Sequence, residues 1–208
     1  MRKDIGPEPV SWRRVFLRGL FSGTLASLIS TAVIARRSVV DNGSPFSGTD
    51  ATSHWIWGEK AKRRDELSGR HTGLGYLTHH ASSVFWGVIF ERWFPNRGRS
   101  DARSSASNAV AVATLACAAD YLVAPKRLTP GFEQPLSRKS MFMVYAGFAV
   151  GLAGARYLMN KKFMNKESQK SRRRRPVPFD PGALTESQAG SIYPERERSG
   201  AQLSAEDP

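Results

Sequence analysis

The sequence predicts an all-α, multi-pass membrane protein: an antiparallel four-helix transmembrane bundle followed by a disordered, basic cytoplasmic C-terminal tail. Three observations lead to this prediction. Four apolar blocks each have about the 20 residues that a helix needs to cross a hydrocarbon core of ~30 Å. Small residues recur at helical spacing within these blocks. The net charge of +13 is concentrated outside them, as it is in the flanks of membrane spans.

The first block covers residues 15–35 and follows a basic N-terminal tail, residues 1–14. We interpret it as an uncleaved membrane span. Its apolar run is longer than that of a signal peptide, Arg18 interrupts it, and no small-residue cleavage site follows.

The other three blocks are predicted to span the membrane at residues 72–94, 105–124 and 141–159. The block at 72–94 is the most polar of the four, because it contains two adjacent histidines and two serines. One face of that helix carries polar and small residues at helical spacing: Tyr76, His80, Ser83, Gly87 and Glu91. Such a helix inserts poorly alone and gains from neighbouring helices.

Small residues indicate where the helices pack. Gly19 and Gly23 form a GxxxG pattern in the first block, and Gly147 and Gly151 form another in the fourth. Glycines at this spacing allow two helix backbones to approach closely. We therefore predict that these four glycines lie at helix–helix contacts.

Residues 36–71 form a long extracytoplasmic loop in this scheme. Within it, residues 50–66 place Trp55, Ile56 and Trp57 beside a charged run, which favours a short interfacial helix over an ordinary exposed loop helix. Residues 165–208 lack apolar periodicity and are predicted to be disordered. Their basic cluster is either a topology signal or a contact for anionic lipid head groups: Arg172, Arg173, Arg174 and Arg175.

The distribution of basic residues predicts the orientation. With both termini in the cytoplasm, the cytoplasmic segments carry 17 Lys and Arg residues and the opposite side carries 11. The positive-inside rule favours this arrangement. No folded reader of nucleic acid is apparent, so the expected partners are the lipid bilayer, anionic head groups, and a membrane-protein partner or a second copy of the chain.

Ionisable side chains within membrane spans are costly and usually have a partner. Glu91 and Arg18 lie at similar depth, which predicts an intramembrane ion pair. Alternatively, Arg18 extends to the interface, and Glu91 pairs with Arg92 or Arg97. The rise per residue also places His79 and Asp120 at the same depth on neighbouring helices, which predicts that they lie opposite each other.

These residues leave several functions open. The sequence favours a structural, envelope-associated or accessory membrane protein, and we expect neither enzymatic activity nor a cofactor. The alternative is a small proton- or solute-conducting protein, or one that binds a metal or haem, with the polar residues His79, His80, Asp120 and Glu91. Adjacent histidines point about 100° apart on a helix, which argues against a metal site. The single cysteine, Cys117, is interpreted as a small packed residue.

Two stretches carry a resemblance to a known group of proteins. "ATSHWIWG" (51–58) and "HTGLGYLTHHASSVFWGVIFE" (71–91) resemble a family of uncharacterised four-span bacterial inner-membrane proteins. The resemblance implies the bacterial inner membrane and four spans, and it implies no activity. It marks a set of candidate functional residues: Ser53, His54, Trp55, Trp57, Gly58, His71, His79, His80 and Glu91.

Overall fold

The structure, a computed structural model, describes residues 11–95 and 102–174. All regular elements in these ranges are helical: α1 (Trp12–Asn42), α2 (Ser47–Thr52), α3 (His54–Trp57), α4 (Leu74–Trp93), α5 (Ala102–Ala118) and α6 (Arg138–Arg174). Short 3-10 helices occupy Glu59–Arg63 and Lys126–Leu128, and π-helical turns occupy Gly69–Gly73 and Ala119–Val123. The chain divides into two units, residues 1–166 and 167–208, and the bundle and site described below belong to the first.

Three helices of the described chain are long and apolar enough to cross a membrane. They are Trp12–Asn42, Ala102–Val123 and Arg138–Lys170. These ranges overlap the first, third and fourth predicted spans. The second predicted span forms the 20-residue helix α4, which is absent from this group because its histidines, serines and Glu91 lower its mean hydropathy.

The buried face of α1 consists mainly of small residues: Gly19, Ser22, Gly23, Ala26, Ser27, Ser30 and Ser38. The large apolar side chains of the same helix point away from the protein interior. Leu17, Phe16 and Leu28 are each more than half exposed. A water-soluble helix has the opposite arrangement, with its large apolar residues buried. This inside-out pattern is typical of a helix that packs by small residues and faces lipid with large ones.

The glycines of the two GxxxG patterns lie at helix contacts. A Cβ atom at Gly19 would lie 2.6 Å from the Cα of Val88 in α4, and one at Gly23 would overlap the backbone of Val84. Glycines of the other pattern face α1 from α6. A Cβ at Gly147 would lie 2.9 Å from a methyl group of Val33.

Two apolar clusters join the helices. The larger cluster combines residues of α1, α4, α5 and α6: Ala26, Phe90, Ala109, Val112, Ala113, Phe148, Ala149 and Leu152. Alanines on α5 and α1 leave room for the two phenylalanines and the leucine. A smaller cluster at the other end of the bundle joins Ile34 of α1 and Val144 of α6 to Phe132 and Leu136 in the preceding loop.

Residues 47–73 fold into a cap against one end of the bundle. The N–H of Gly48 donates to the Ser38 hydroxyl of α1 at 3.2 Å, and Thr72 donates to the Asp50 carboxylate at 2.6 Å. The predicted helix at 50–66 is wrong as a single element. The chain there forms the end of α2, then α3 and a 3-10 helix, because Gly58 turns the backbone with a φ of +73°.

The predicted start of the disordered tail at residue 165 is also wrong. Helix α6 continues to Arg174, through a run of Lys, Glu, Gln and Arg residues that have good helix propensity. The rest of the predicted tail, residues 175–208, lies outside the described residues, as do most of the N-terminal tail and residues 96–101.

We expect Gly151→Ala to destabilise the protein by about 1–3 kcal/mol, because the added methyl group would overlap the Cα of Ala26 in α1. Gly154→Ala is the matched control on the same helix, since the nearest atom to its Cβ is 3.9 Å away. The thermal unfolding midpoint in detergent measures both. Equal midpoints for the two variants would contradict a close α1–α6 contact at Gly151.

Candidate functional site

Glu91 of α4 and Arg156 of α6 are charged groups buried in the interior between the long helices. Glu91 is 2% exposed and Arg156 is 1% exposed. The guanidinium Nη2 lies 3.3 Å from the Glu91 Oε2, and the hydroxyl of Ser22 on α1 donates to Oε1 at 2.9 Å. The guanidinium carbon also lies 3.8 Å from the centre of the Phe90 ring. One polar cluster therefore connects three long helices.

The predicted Arg18–Glu91 ion pair is wrong, because the ion pair of Glu91 is with Arg156. The depth of a side chain along a helix is calculable from the rise per residue. The direction in which it points depends on how each helix is rotated in the bundle. Arg156 is not among the residues that the sequence predicted for the site. Its signal was present, since Phe148, Leu152 and Arg156 continue one buried face of α6 at i, i+4 and i+8.

His79 and Asp120 do not form the predicted pair with each other. The Nε2 of His79 lies 2.8 Å from the Ser30 hydroxyl of α1. The Asp120 carboxylate accepts a 2.6 Å hydrogen bond from the Tyr145 hydroxyl of α6. Both residues nevertheless line one cavity. Their predicted equal depth is therefore consistent with the structure, whereas their partners were not predicted.

The remaining histidines occupy different environments. The His80 ring lies 5.7 Å from that of Tyr76, one turn earlier on α4. His54 is 1% exposed, and its Nδ1 lies 2.8 Å from the carbonyl oxygen of Ala51. His71 Nδ1 lies 3.2 Å from the hydroxyl of Ser53. Two of the four histidines therefore belong to the cap and two to α4.

The cap residue Asp50 is fully buried and has one hydrogen-bonded oxygen. Its Oδ1 accepts from Thr72, while Oδ2 has no hydrogen-bond partner among the described residues. Burial raises the pKa of this carboxyl, against the opposing effects of the Thr72 hydrogen bond and of His71.

The tryptophans of the cap also differ from each other. The indole of Trp55 faces inward and donates to the carbonyl oxygen of Thr129 at 2.8 Å, joining the cap to the loop before α6. Trp57 is 40% exposed, and the guanidinium of Arg70 lies 3.9 Å from its ring centre. Only one of the two indoles is therefore positioned to meet lipid head groups.

A cavity of about 60 Å³ lies between the cap and the helices. Its walls come from α1, α4, α6, the end of the α5 segment, the cap and the Thr129–Phe132 turn. Polar atoms come from Ser30, Thr52, His79, Ser82, Ser83 and Asp120, and aromatic rings from Trp55, Trp86, Phe132, Tyr145 and Phe148. The cavity is mostly apolar with a few converging polar groups, as small-molecule sites are.

A metal centre finds no support in the arrangement. Across residues 11–95 and 102–174, no three His, Cys, Asp or Glu side chains come together as ligands. The basic cluster at residues 172–175 has no described side chains, so its predicted contact with lipid head groups stays a prediction.

Comparisons with known proteins leave the site to be interpreted from its own geometry. No family model, no curated protein and no solved structure matches the chain. The resemblance to four-span bacterial inner-membrane proteins stays a prediction.

We expect Arg156→Met to destabilise the protein by about 3–5 kcal/mol, because it leaves the Glu91 carboxylate buried without a cation. The double variant Glu91→Leu with Arg156→Met removes both charges and should recover most of that loss. Thermal unfolding midpoints of the two variants test this. A double variant no more stable than Arg156→Met would contradict a mutually dependent pair.

The stability of the protein should carry a pH dependence from Asp50. Because burial raises the folded-state pKa of Asp50, its neutral form suits the fold. The stabilisation that neutral Asp50 provides is complete below the pKa that its carboxyl has in the unfolded chain. It is lost as the pH rises through the higher pKa of the folded state. The unfolding midpoint of wild type should therefore fall relative to that of Asp50→Asn between pH 4 and pH 7. Glu66→Gln, at an exposed position, is the control, and a constant difference between wild type and Asp50→Asn would contradict this assignment.

Proposed function

We propose that the protein is a four-span membrane protein that acts as a structural or accessory component of the membrane, with α4 as its polar second span. The observation that supports this most strongly is the Glu91–Arg156–Ser22 cluster. The charges of Glu91 and Arg156 are paired with each other, and together with Ser22 they join α4 to α6 and α1. Polar residues that bond between helices specify how a membrane bundle assembles.

The surface of the long helices supports lipid as the surrounding medium. Large apolar side chains are exposed along several of them: Leu17, Leu28, Phe85, Val110, Phe142 and Val150. Each is at least half exposed, while serines of α1 are fully buried. In water such a surface would promote aggregation, whereas in hydrocarbon it is the favourable one.

The order of contacts supports an antiparallel four-helix bundle. From Ser22 to Ser30 along α1, the partners on α4 run backwards, from Glu91 to His79. From Ala26 to Arg37, the partners on α6 also run backwards, from Gly151 to Ser140. An up-and-down arrangement of α1, α4, α5 and α6 produces these contacts and makes α4 a membrane span although its hydropathy is low.

The proposed location is the bacterial inner membrane, with both termini in the cytoplasm. Positive charge supports this side, because the segments placed in the cytoplasm carry 17 of the basic residues and the opposite segments carry 11. The proposed partners are bilayer lipids, anionic head groups at Arg172–Arg175, and another membrane protein or a second copy of the chain.

A second candidate function is the passage of protons or small solutes. The cavity favours it, since His79 and Asp120 both line a space between the helices. Conduction also needs a path to the opposite face, where the Glu91–Arg156 pair and the packed cluster around Phe90 and Leu152 fill the bundle. The structural role therefore stands first.

Single cysteines test the number of crossings in a Cys117→Ala background. Positions Lys3, Ser100 and Ser187 should react with an impermeant maleimide only from the cytoplasmic side, and Gly69 only from the opposite side. A helix count of four places both termini on one side, whereas three spans place them on opposite sides.

Two results would contradict the four-span assignment. Labelling of positions 3 and 187 from opposite sides would show an odd number of crossings. Labelling of positions 69 and 100 from the same side would show that α4 does not cross. Recovery of the protein in the soluble fraction after lysis would contradict the membrane assignment altogether.

A further inference from the structure

The cavity beneath the cap combines one carboxylate with several aromatic rings, a combination that packing between the helices does not need. It lies toward the capped end of the bundle, away from the Glu91–Arg156 pair, and the cap and the Thr129–Phe132 segment contribute to its walls. We propose that this cavity is a binding site for a small organic cation of the alkylammonium class, with Asp120 as its counter-charge and the surrounding aromatic rings as its walls.

Asp120 is the acidic group of the cavity, and the described residues that line it include no Lys or Arg. The described contact of its carboxylate is the hydrogen bond from the neutral hydroxyl of Tyr145, on Oδ2. A carboxylate in a low-dielectric site is costly unless a cation accompanies it. The described walls of the cavity thus provide no positive partner of the Lys or Arg type for this carboxylate.

Among the described lining residues, the group that could supply a positive charge is His79. Its Nε2 is already within 2.8 Å of the Ser30 hydroxyl, on the α1 side of the cavity. Asp120 bonds on the α6 side, to Tyr145. The imidazole and the carboxylate therefore have separate hydrogen-bond partners, and both groups line the cavity.

Charges outside the cavity reinforce its negative character. Glu133, just beyond the Thr129–Phe132 turn, lies close enough to act electrostatically on Asp120. Lys62 of the cap partly offsets Glu133, with Nζ 3.9 Å from the Glu133 carboxylate and 3.1 Å from that of Glu59. Lys62 is thus shared between the carboxylates of Glu133 and Glu59, so its single charge does not neutralise both.

The aromatic walls suit a cation with an alkyl surface. Rings of Trp55, Trp86, Phe132, Tyr145 and Phe148 line the space. The faces of aromatic rings are electrostatically negative and attract ammonium groups, while their apolar character accommodates methyl groups. A bare inorganic cation would need several oxygen ligands, whereas this cavity offers one carboxylate and a few hydroxyls.

The size of the cavity allows a small organic cation. Its volume of about 60 Å³ is several times the ~10–15 Å³ of cavity space that one water molecule requires. Methylammonium is a small member of the alkylammonium class and has three N–H donors. Asp120 can accept one of them, and the hydroxyls of Ser82 and Thr52 on the walls are further acceptors.

Methylammonium is the probe for a direct test. The full chain is reconstituted in zwitterionic phosphatidylcholine nanodiscs and titrated by isothermal titration calorimetry, with empty nanodiscs subtracted. We expect saturable binding of methylammonium chloride and none of methanol, its neutral analogue. Asp120→Asn keeps the acceptor for Tyr145 and removes the charge, so it should weaken binding at least about tenfold. Glu66→Gln, which removes an exposed carboxylate of the cap loop, should bind as wild type does.

A second variant decides the matter if Asp120→Asn fails to fold. Trp86→Leu retains an apolar side chain and removes one aromatic wall, so binding should weaken by about 3- to 10-fold. The proposal is overturned if wild type shows no saturable heat, if methanol binds equally well, or if a folded Asp120→Asn binds like wild type. Unchanged binding in Trp86→Leu would also overturn it. The number of membrane crossings is measured by labelling, so failure of binding leaves the four-span assignment untouched.

Discussion

A carboxylate and a guanidinium that are both removed from water must meet, and most of the architecture follows from this constraint. Glu91 and Arg156 lie on different helices, and each is at most 2% exposed. Separating them would leave two uncompensated charges in an apolar interior, which costs far more than any single apolar contact contributes. The pair therefore sets the register of α4 against α6. Ser22 binds the other carboxylate oxygen and adds α1 to the same arrangement.

Glycines let α1 and α4 approach closely, and at this contact Ser22 donates a hydrogen bond to the Glu91 carboxylate. Gly19 and Gly23 of α1 face Gly87, Val84 and Val88 of α4, so the two helices touch backbone to backbone. On α1, small and hydroxyl-bearing residues face inward and several large apolar residues face outward. This distribution inverts that of a helix in a water-soluble bundle. The hydroxyls of α1 also provide polar partners for Glu91 and His79 of α4.

The two ends of the bundle have different chemistry for a physical reason. At the end with Glu91 and Arg156, opposite charges neutralise each other and packing is continuous around Phe90 and Leu152. At the capped end, His79 and Asp120 are hydrogen-bonded to neutral partners on separate helices, and aromatic rings line the cavity. A small cavity with one carboxylate remains there.

The sequence by itself determined the all-helical class, the apolar blocks that become the long helices, and the positions of GxxxG glycines at helix contacts. These features depend on local periodicity, which one helix expresses alone. Tertiary structure decided the partners: Glu91 with Arg156 rather than Arg18, His79 with Ser30, and Asp120 with Tyr145. It also decided that residues 47–73 fold as a cap. Rise per residue fixes the depth of a side chain, but facing depends on the rotation of each helix, and only the packing of all the helices sets that rotation.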